Sequence, residues 1–401
     1  MISAAARPYI DASVPVLREH GLAITRTFYK NMFAAHPELT NLFNMGNQAN
    51  GVQQQSLASA VFAYAANIDN ASALGPVVSR IVHKHASVGI KSEHYPIVGR
   101  HLLGAIQEVL GEAATPALIS AWDEAYSELA AALIDAEKAL YAQARTEPGQ
   151  LREMRVVDIR NESEDIKAFV LEPADGLAAP AFKPGQYLSV SVNFEDGTTQ
   201  LRQYSLSDAP ESRRLRISVK REREDQAGPA GRVSNWLHNH VRIGSVLKVT
   251  HPFGDFTPDI ASANPNVLLS AGVGITPMIS ILNLIAQTNP SREVIFAHAA
   301  QGLAWHAHRA DVASAMKIMP NLQTVAFYEQ ANADDCSLPN TFAGRMNVAK
   351  LPAWSYTDAD VYLCGPVEFM QAQWRALLDA GVPAVRLHRE VFGPELLNYL
   401  S

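Results

Sequence analysis

Two cysteines, Cys336 and Cys364, are all that the 401 residues hold. They are too few for a disulfide framework or a zinc cluster, and the scarcity fits a reducing cytosol. A basic excess is missing too, because a formal net charge of −7 leaves no electrostatic footprint for nucleic acid. No apolar run is long enough to span a bilayer, so no stable membrane insertion is expected. The N-terminal stretch carries Arg7, Pro8, Asp11 and Pro15, which interrupt any signal-peptide core, and the expected location is the cytoplasm. Internal repeats and low-complexity tracts are absent as well. What is present, 48% hydrophobic and 18% charged residues, is the make-up of a globular protein longer than one hydrophobic core usually covers.

The texture of the chain changes twice. Residues 1–143 read as helix throughout, rich in alanine, leucine and glutamate, with breaks at His36–Leu39 and Gly75–Pro76 and a closing helix over 115–142. Residues 144–150 form a polar Pro/Gly linker. In 151–262 the segments Met154–Ile159, Ala168–Leu171, Tyr187–Val192, Leu215–Val219 and Val246–Val249 predict strands, with one helix at Val233–His240. That pattern makes an antiparallel sheet or barrel. In 263–401 the apolar runs Val267–Leu269, Val294–His298, Leu322–Ala326 and Asp360–Leu363 alternate with helical stretches, which predicts a parallel α/β sheet. The expected fold class is therefore multidomain: all-α, then antiparallel β, then α/β.

In the helical part, Val78, Ile81, Val82 and His85 fall at i, i+3, i+4 and i+7, one apolar stripe. His83 lies roughly 200° around the helix and points elsewhere, as a surface residue. An imidazole aimed into an apolar interior needs a partner for each ring nitrogen. Either neighbouring side chains satisfy it as a core histidine, or a metal takes one nitrogen. Gln53, Leu57, Ala60, Val61 and Tyr64 make a second stripe, and Leu22, Thr25, Tyr29, Met32 and Phe33 a third; each is explicable as core packing. Glu137 is less so, since it continues the Leu129–Leu133 stripe and would put a carboxylate on the apolar side.

The stretches ITRTFYKNMFAAHPELTNLFN, QSLASAVFAYAANIDN and KHASVGIKSEHYPIVGRHLLGAI closely resemble the globin domain of flavohaemoglobins, the nitric oxide dioxygenases. The resemblance runs through essentially the whole chain. It implies a globin fold holding haem b, with His85 as the proximal iron ligand and Phe43 wedged against the porphyrin. It makes Tyr29 and Gln53 the polar distal pair and Leu57 the apolar residue over the iron. Tyr95 and Glu137 match the proximal relay, and Lys84 a position tied to communication between haem and flavin. A phenol donor in a dry pocket would stabilise negative charge developing on oxygen at the iron. A ligating imidazole whose second nitrogen donates to a carboxylate is a stronger electron donor.

The β-rich part carries Phe182-Lys-Pro-Gly-Gln-Tyr187 and the tetrapeptide Arg202-Gln203-Tyr204-Ser205. Arginine can fork onto a phosphate, tyrosine can cover an isoalloxazine face and serine can bond the flavin edge. Gly231, Val233 and Ser234 open a helix whose N-terminus can bind a pyrophosphate. Together these resemble the FAD domain of the ferredoxin–NADP reductase superfamily, a six-stranded antiparallel barrel; Arg232 departs from the aliphatic residue usual at that position in flavohaemoglobins and would sit near the flavin phosphates. The last part opens on a strand running into Gly272-Val273-Gly274-Ile275-Thr276-Pro277 and a helix, the form that superfamily uses for a dinucleotide pyrophosphate. Cys364-Gly365-Pro366 matches its second nicotinamide-side motif. Glu390-Val391-Phe392-Gly393-Pro394 matches the segment that returns to the flavin, with Phe392 near the ring face and Glu390 near the electron path. A 2′-phosphate wants arginine after the second strand and a free ribose wants an acid. Neither follows Val294–His298 until Arg309 and Asp311, so the coenzyme is NAD(P)H with a lean to NADH.

The resemblance implies a monomeric NAD(P)H-dependent nitric oxide dioxygenase, with oxygen and nitric oxide as its small-molecule partners. Two alternatives stand beside it: a flavin-driven haem reductase acting on peroxides or other acceptors, and an oxygen- or redox-sensing globin.

Overall fold

A computed structural model of the chain describes residues 2–43, 45–68, 71–211, 213–224, 229–331 and 335–393. The N-terminal unit packs α1 (Arg7–Ala35), the short α2 (Met45–Ala49), α3 (Val52–Ala66), α4 (Ala71–Val88), α5 (His94–Leu110) and α6 (Pro116–Ala144). Among the described residues no helix is long and apolar enough to cross a membrane. The expected break at His36–Leu39 is real, because the chain leaves α1 and makes a 3-10 turn over Pro37–Asn41. The one expected at Gly75–Pro76 is not: Pro76 lies inside α4. The helix starts only five residues earlier, so the proline forfeits one backbone bond just beyond the first turn and the helix continues. Helix α6 begins at a Thr115 cap whose hydroxyl accepts from the Leu118 amide.

The second unit is a six-stranded antiparallel sheet in the order β4-β3-β6-β1-β2-β5. Its strands are β1 (Arg152–Asn161), β2 (Ile166–Pro173), β3 (Tyr187–Asn193), β4 (Thr199–Ser205), β5 (Leu215–Lys220) and β6 (Val246–Val249), with α7 (Arg232–His240) after β5. A bridge between Leu206 and Ile217 joins the two edge strands and closes the sheet on itself. Inward residues such as Phe169, Leu188, Val190, Ile217 and Val249 fill the interior without exposure.

The third unit is a six-stranded parallel sheet in the order β10-β9-β8-β7-β11-β12. Its strands are β7 (Asn266–Ala271), β8 (Val294–Ala300), β9 (Leu322–Tyr328), β10 (Thr341–Ala343), β11 (Asp360–Cys364) and β12 (Leu387–Glu390). Helices α8 (Ile275–Thr288), α9 (Arg309–Ile318) and α10 (Val367–Asp379) cover it. The order reverses between β7 and β11, which places a ligand crevice at their carboxyl ends. Two edge strands escaped the sequence reading: Thr341–Ala343 is only three residues, and Leu-His-Arg-Glu at 387–390 has no apolar alternation.

Side chains tie the units together. At the barrel–sheet contact, Arg216 of β5 meets Asp311 at 3.0 Å, His308 donates to Asp311 at 2.9 Å, and its other nitrogen meets Ser218 at 2.9 Å. At the crevice, Gly274 is forced by contact: a Cβ there would sit 2.3 Å from the carbonyl oxygen of Cys364. Gly274→Ala is expected to destabilise the third unit by about 1–3 kcal/mol through this overlap. The check is its unfolding midpoint by calorimetry, and a wild-type midpoint would show that the crevice yields freely.

Candidate functional site

One cavity of about 1570 Å³ runs from the helical unit into the barrel and on to the parallel sheet. Its helical end lies between α3 and α4. Gln53, Leu57, Ala60, Val61 and Tyr64 of α3 all line it, as the stripe predicts, and Val78, Ile81 and His85 face them from α4. Val82 departs from its stripe and packs instead with Tyr95, Ala130 and Leu133 against α6.

His85 is oriented by a buried carboxyl group. Its Nδ1 lies 2.8 Å from Glu137 Oε1 and 3.1 Å from the Tyr95 hydroxyl, and that hydroxyl donates to the same Glu137 oxygen. Glu137 is 3% exposed, so these contacts account for a carboxyl group on an apolar helix face. Tyr95 is itself fixed by Tyr126, whose hydroxyl donates to the Tyr95 carbonyl at 2.6 Å. With Nδ1 engaged, the nitrogen that His85 can offer to a metal in the cavity is Nε2. This donor set fits an iron porphyrin: one directed imidazole, a largely apolar chamber and the Phe43 ring at its wall.

Across the chamber, Tyr29 is buried in an aromatic nest, with ring centroids 4.7 Å from Phe28, 5.7 Å from Phe33 and 5.8 Å from Phe43. Burial pushes its phenol up to about 12, with the Gln53 and Gln48 side chains opposing the shift. Gln48 was not foreseen, since no periodicity marks a polar residue of a five-residue helix. It also takes a hydrogen bond on its Oε1 from Gln54 at 2.9 Å.

In the barrel, Tyr187, Arg202, Gln203, Tyr204 and Ser205 line the cavity together. Ser205 Oγ is buried without a hydrogen-bond partner among the described residues, a group left for a ligand. Among the described residues the half-buried Arg202 guanidinium hydrogen-bonds only the carbonyl of Leu201, at 2.7 Å, and desolvation lowers its pKa, so its charge is available to an anion. Both observations fit a flavin with its phosphates. Ser234 lines the cavity as well. Its hydroxyl donates to the Gly231 carbonyl and accepts from the Glu222 amide, leaving the first amides of α7 to meet a phosphate. Val233 turns its side chain into the barrel core. Arg232 lies 3.8 Å over the Phe194 ring and pairs with Asp196 at 2.5 Å, so its charge is spent on the β3–β4 hairpin.

In the glycine turn, Gly272 adopts φ +54 and Val273 and Thr276 reach the cavity, whereas Ile275 and Pro277 are buried in the sheet's core layer. Cys364 ends β11 beside Gly274, Gly365 and Pro366 follow it, and burial pushes the Cys364 thiol well up. Asp311 is not free for a ribose, because it is held by His308 and Arg216. Glu390 ends β12 opposite Cys364, and Val391, Phe392 and Gly393 line the cavity beyond it; Pro394 lies outside the described residues. Lys84 is no surface lysine: its Nζ donates to the carbonyls of Gly393 and Val391. His83, expected at the surface, is half-buried and accepts from the Gly254 amide at 3.0 Å, because the barrel covers that side of α4.

Comparisons with known proteins agree with this plan. Models of the globin, oxidoreductase FAD-binding and oxidoreductase NAD-binding families match residues 26–133, 153–257 and 268–374. A flavohemoprotein of Chromobacterium violaceum is 50% identical over 399 residues, covering 98% of each chain. Another from Bordetella parapertussis is 49% identical, over 98% of this chain and 99% of its own. The flavohemoglobin of Malassezia yamatoensis, solved with bound FAD and haem, superposes with a TM-score of 0.86 at 31% identity, over 98% of this chain and all of its own. The FAD/NAD-binding part of a Vibrio cholerae nitric oxide dioxygenase gives 0.55 at 38% identity, over 61% of this chain and 99% of its own.

Burial pushes the Glu390 carboxyl up to about 7, with Lys84 and Arg80 opposing the shift and Asp255 adding to it. A carboxyl raised from about 4.5 contributes its full stability below the lower value and loses it as pH rises to about 7. Glu390→Gln should therefore gain on the wild type by roughly 2–3 kcal/mol in unfolding experiments between pH 5 and 8. Parallel pH profiles for the two proteins would rule out a protonated Glu390.

Proposed function

The chain belongs to the flavohaemoprotein family, and on that premise we propose that it converts nitric oxide and oxygen to nitrate with electrons drawn from NADH. The observation that carries the reading is the two-sided chamber. A carboxyl-linked imidazole stands on one wall and a phenol with amide neighbours on the other, and both open toward the flavin tetrapeptide. The Vibrio cholerae relative named as a nitric oxide dioxygenase supports it. Bound haem would supply a one-electron iron centre for diatomic ligands, and FAD would divide a hydride into single electrons. The residues do the rest. Tyr29, kept protonated by burial, donates a hydrogen bond where negative charge develops. Gln53 orients that hydroxyl, while Leu57 and Phe43 keep water away. Glu137 and Tyr95 fix the tautomer and plane of His85. Arg202 neutralises the flavin phosphates, and Glu390 holds a proton beside Cys364 at the nicotinamide end.

Peroxide chemistry is less well served. Cleaving a peroxide calls for a proton shuttle near neutral pKa, and the cavity lining contributed by described residues 28–64 includes no histidine or carboxylate. Dioxygenase activity predicts that NADH reduces flavin and then haem without oxygen, and that nitric oxide disappears only when oxygen and NADH are both present. Consumption that ignores either reactant would end the proposal. For Tyr29→Phe, loss of a hydrogen bond to a charged acceptor should speed oxygen dissociation about 10- to 100-fold by flash photolysis. An unchanged rate would remove Tyr29 from this role.

A further inference from the structure

Ser87 lies two residues beyond His85 on α4 and has no exposed surface, yet it belongs to neither the iron-ligand stripe nor the flavin motif. Its polar neighbours come mostly from the barrel. Gln203 Nε2 donates to Ser87 Oγ at 2.5 Å, and Ser189 Oγ donates to the Ser87 carbonyl at 2.6 Å. Within α4, Ser87 Oγ donates to the Lys84 carbonyl at 2.8 Å, which turns the hydroxyl oxygen toward Gln203 as an acceptor. Ser189 and Gln203 are directly opposite each other in the β3–β4 ladder, and Tyr187 opens β3 opposite Ser205.

The residue thus sits on a cross-strand pair in the two strands whose side chains line the flavin end of the cavity. It is joined to His85 by one residue of the same helix, and Gln203 is joined to Tyr204 by a single peptide bond. Contacts between units of one chain ordinarily allow relative motion unless the interface is large and apolar. Buried hydrogen bonds are the exception, because in a dry site they are directional and costly to leave unmade. Electron transfer between two centres falls steeply with their separation, so a fraction of an ångström of slack at this contact is enough to slow it.

We propose that Ser87 is a positioning residue for flavin-to-haem electron transfer: its hydroxyl and carbonyl lock the helix that bears His85 onto strands β3 and β4 at a set spacing. The inference rests on the electron route proposed above. It makes no demand on nitric oxide, so the two can fail separately.

The test uses the full-length protein loaded with haem and FAD, mixed anaerobically with NADH under carbon monoxide and followed by stopped-flow absorbance. Ser87→Ala should leave flavin reduction and the KM for NADH at wild-type values and slow the following haem reduction roughly three- to tenfold. Hydrogen exchange at residues 81–88 and 187–193 should rise in the same variant, a readout independent of turnover. Ser189→Ala, which loses only the bond to the Ser87 carbonyl, should slow the same step by a smaller factor and stands in if Ser87→Ala does not fold. Haem reduction at the wild-type rate in the variant that folds, or equal slowing of both steps, overturns the proposal. Wild-type protein whose reduced flavin never reduces haem would instead overturn the electron route itself.

Discussion

Glu137 is the constraint on which the rest of the molecule depends. A carboxyl group buried to 3% exposure inside a helical bundle is tolerated only where donors meet it, and here both donors converge on one oxygen. Tyr95 from α5 and His85 from α4 must both arrive, so three helices are held in one mutual arrangement. The imidazole then has a single nitrogen left, and its direction into the cavity follows from the bond on the other side. Apolar packing of Val82, Leu133 and Ala130 supplies the surrounding adhesion without specifying that direction.

Helix α4 carries this order outward. One face presents Val78, Ile81 and His85 to the cavity, and another packs Val82 on α6. The remaining residues, His83, Lys84 and Ser87, reach Gly254, the 391–393 segment and Gln203. A helix in an isolated globin would leave that last face to water. Here it is the wall shared by the helical unit, the barrel and the C-terminal segment, which is why an amphipathic moment alone describes it poorly. At its end Gly89 adopts φ +78, and a Cβ there would lie 2.5 Å from Gly149 Cα, so the linker is packed against the helix as well.

The parts of the site that were legible share one property: their chemistry is local. Arg202-Gln203-Tyr204-Ser205 lies on one strand, and the glycine turn joins one strand to one helix, so a few adjacent residues announce the ligand contact. Resemblance to a family then gathered Tyr29, Gln53, Tyr95 and Glu137, which no spacing rule could have brought to His85. Polar residues beside those motifs are used in ways that no local pattern announces. Ser234 spends its hydroxyl on Glu222 and Gly231, Asp311 is captured by Arg216, and Arg232 by Asp196. Each of these is an ordinary polar side chain whose use depends on which of several donors or acceptors the fold brings nearest.

By itself the sequence determined the order of three units, the type of secondary structure in each and the short motifs that face cofactors. Those depend on periodicity and on backbone needs met within a few residues. Only the tertiary structure decided that Pro76 stays inside a helix, that His83 and Lys84 are interface residues and that Ser87 is buried between two units. A side chain's environment is set by whatever packs against it, and along α4 that partner lies about 100 to 300 residues away. Such distances leave no local trace in composition or pattern.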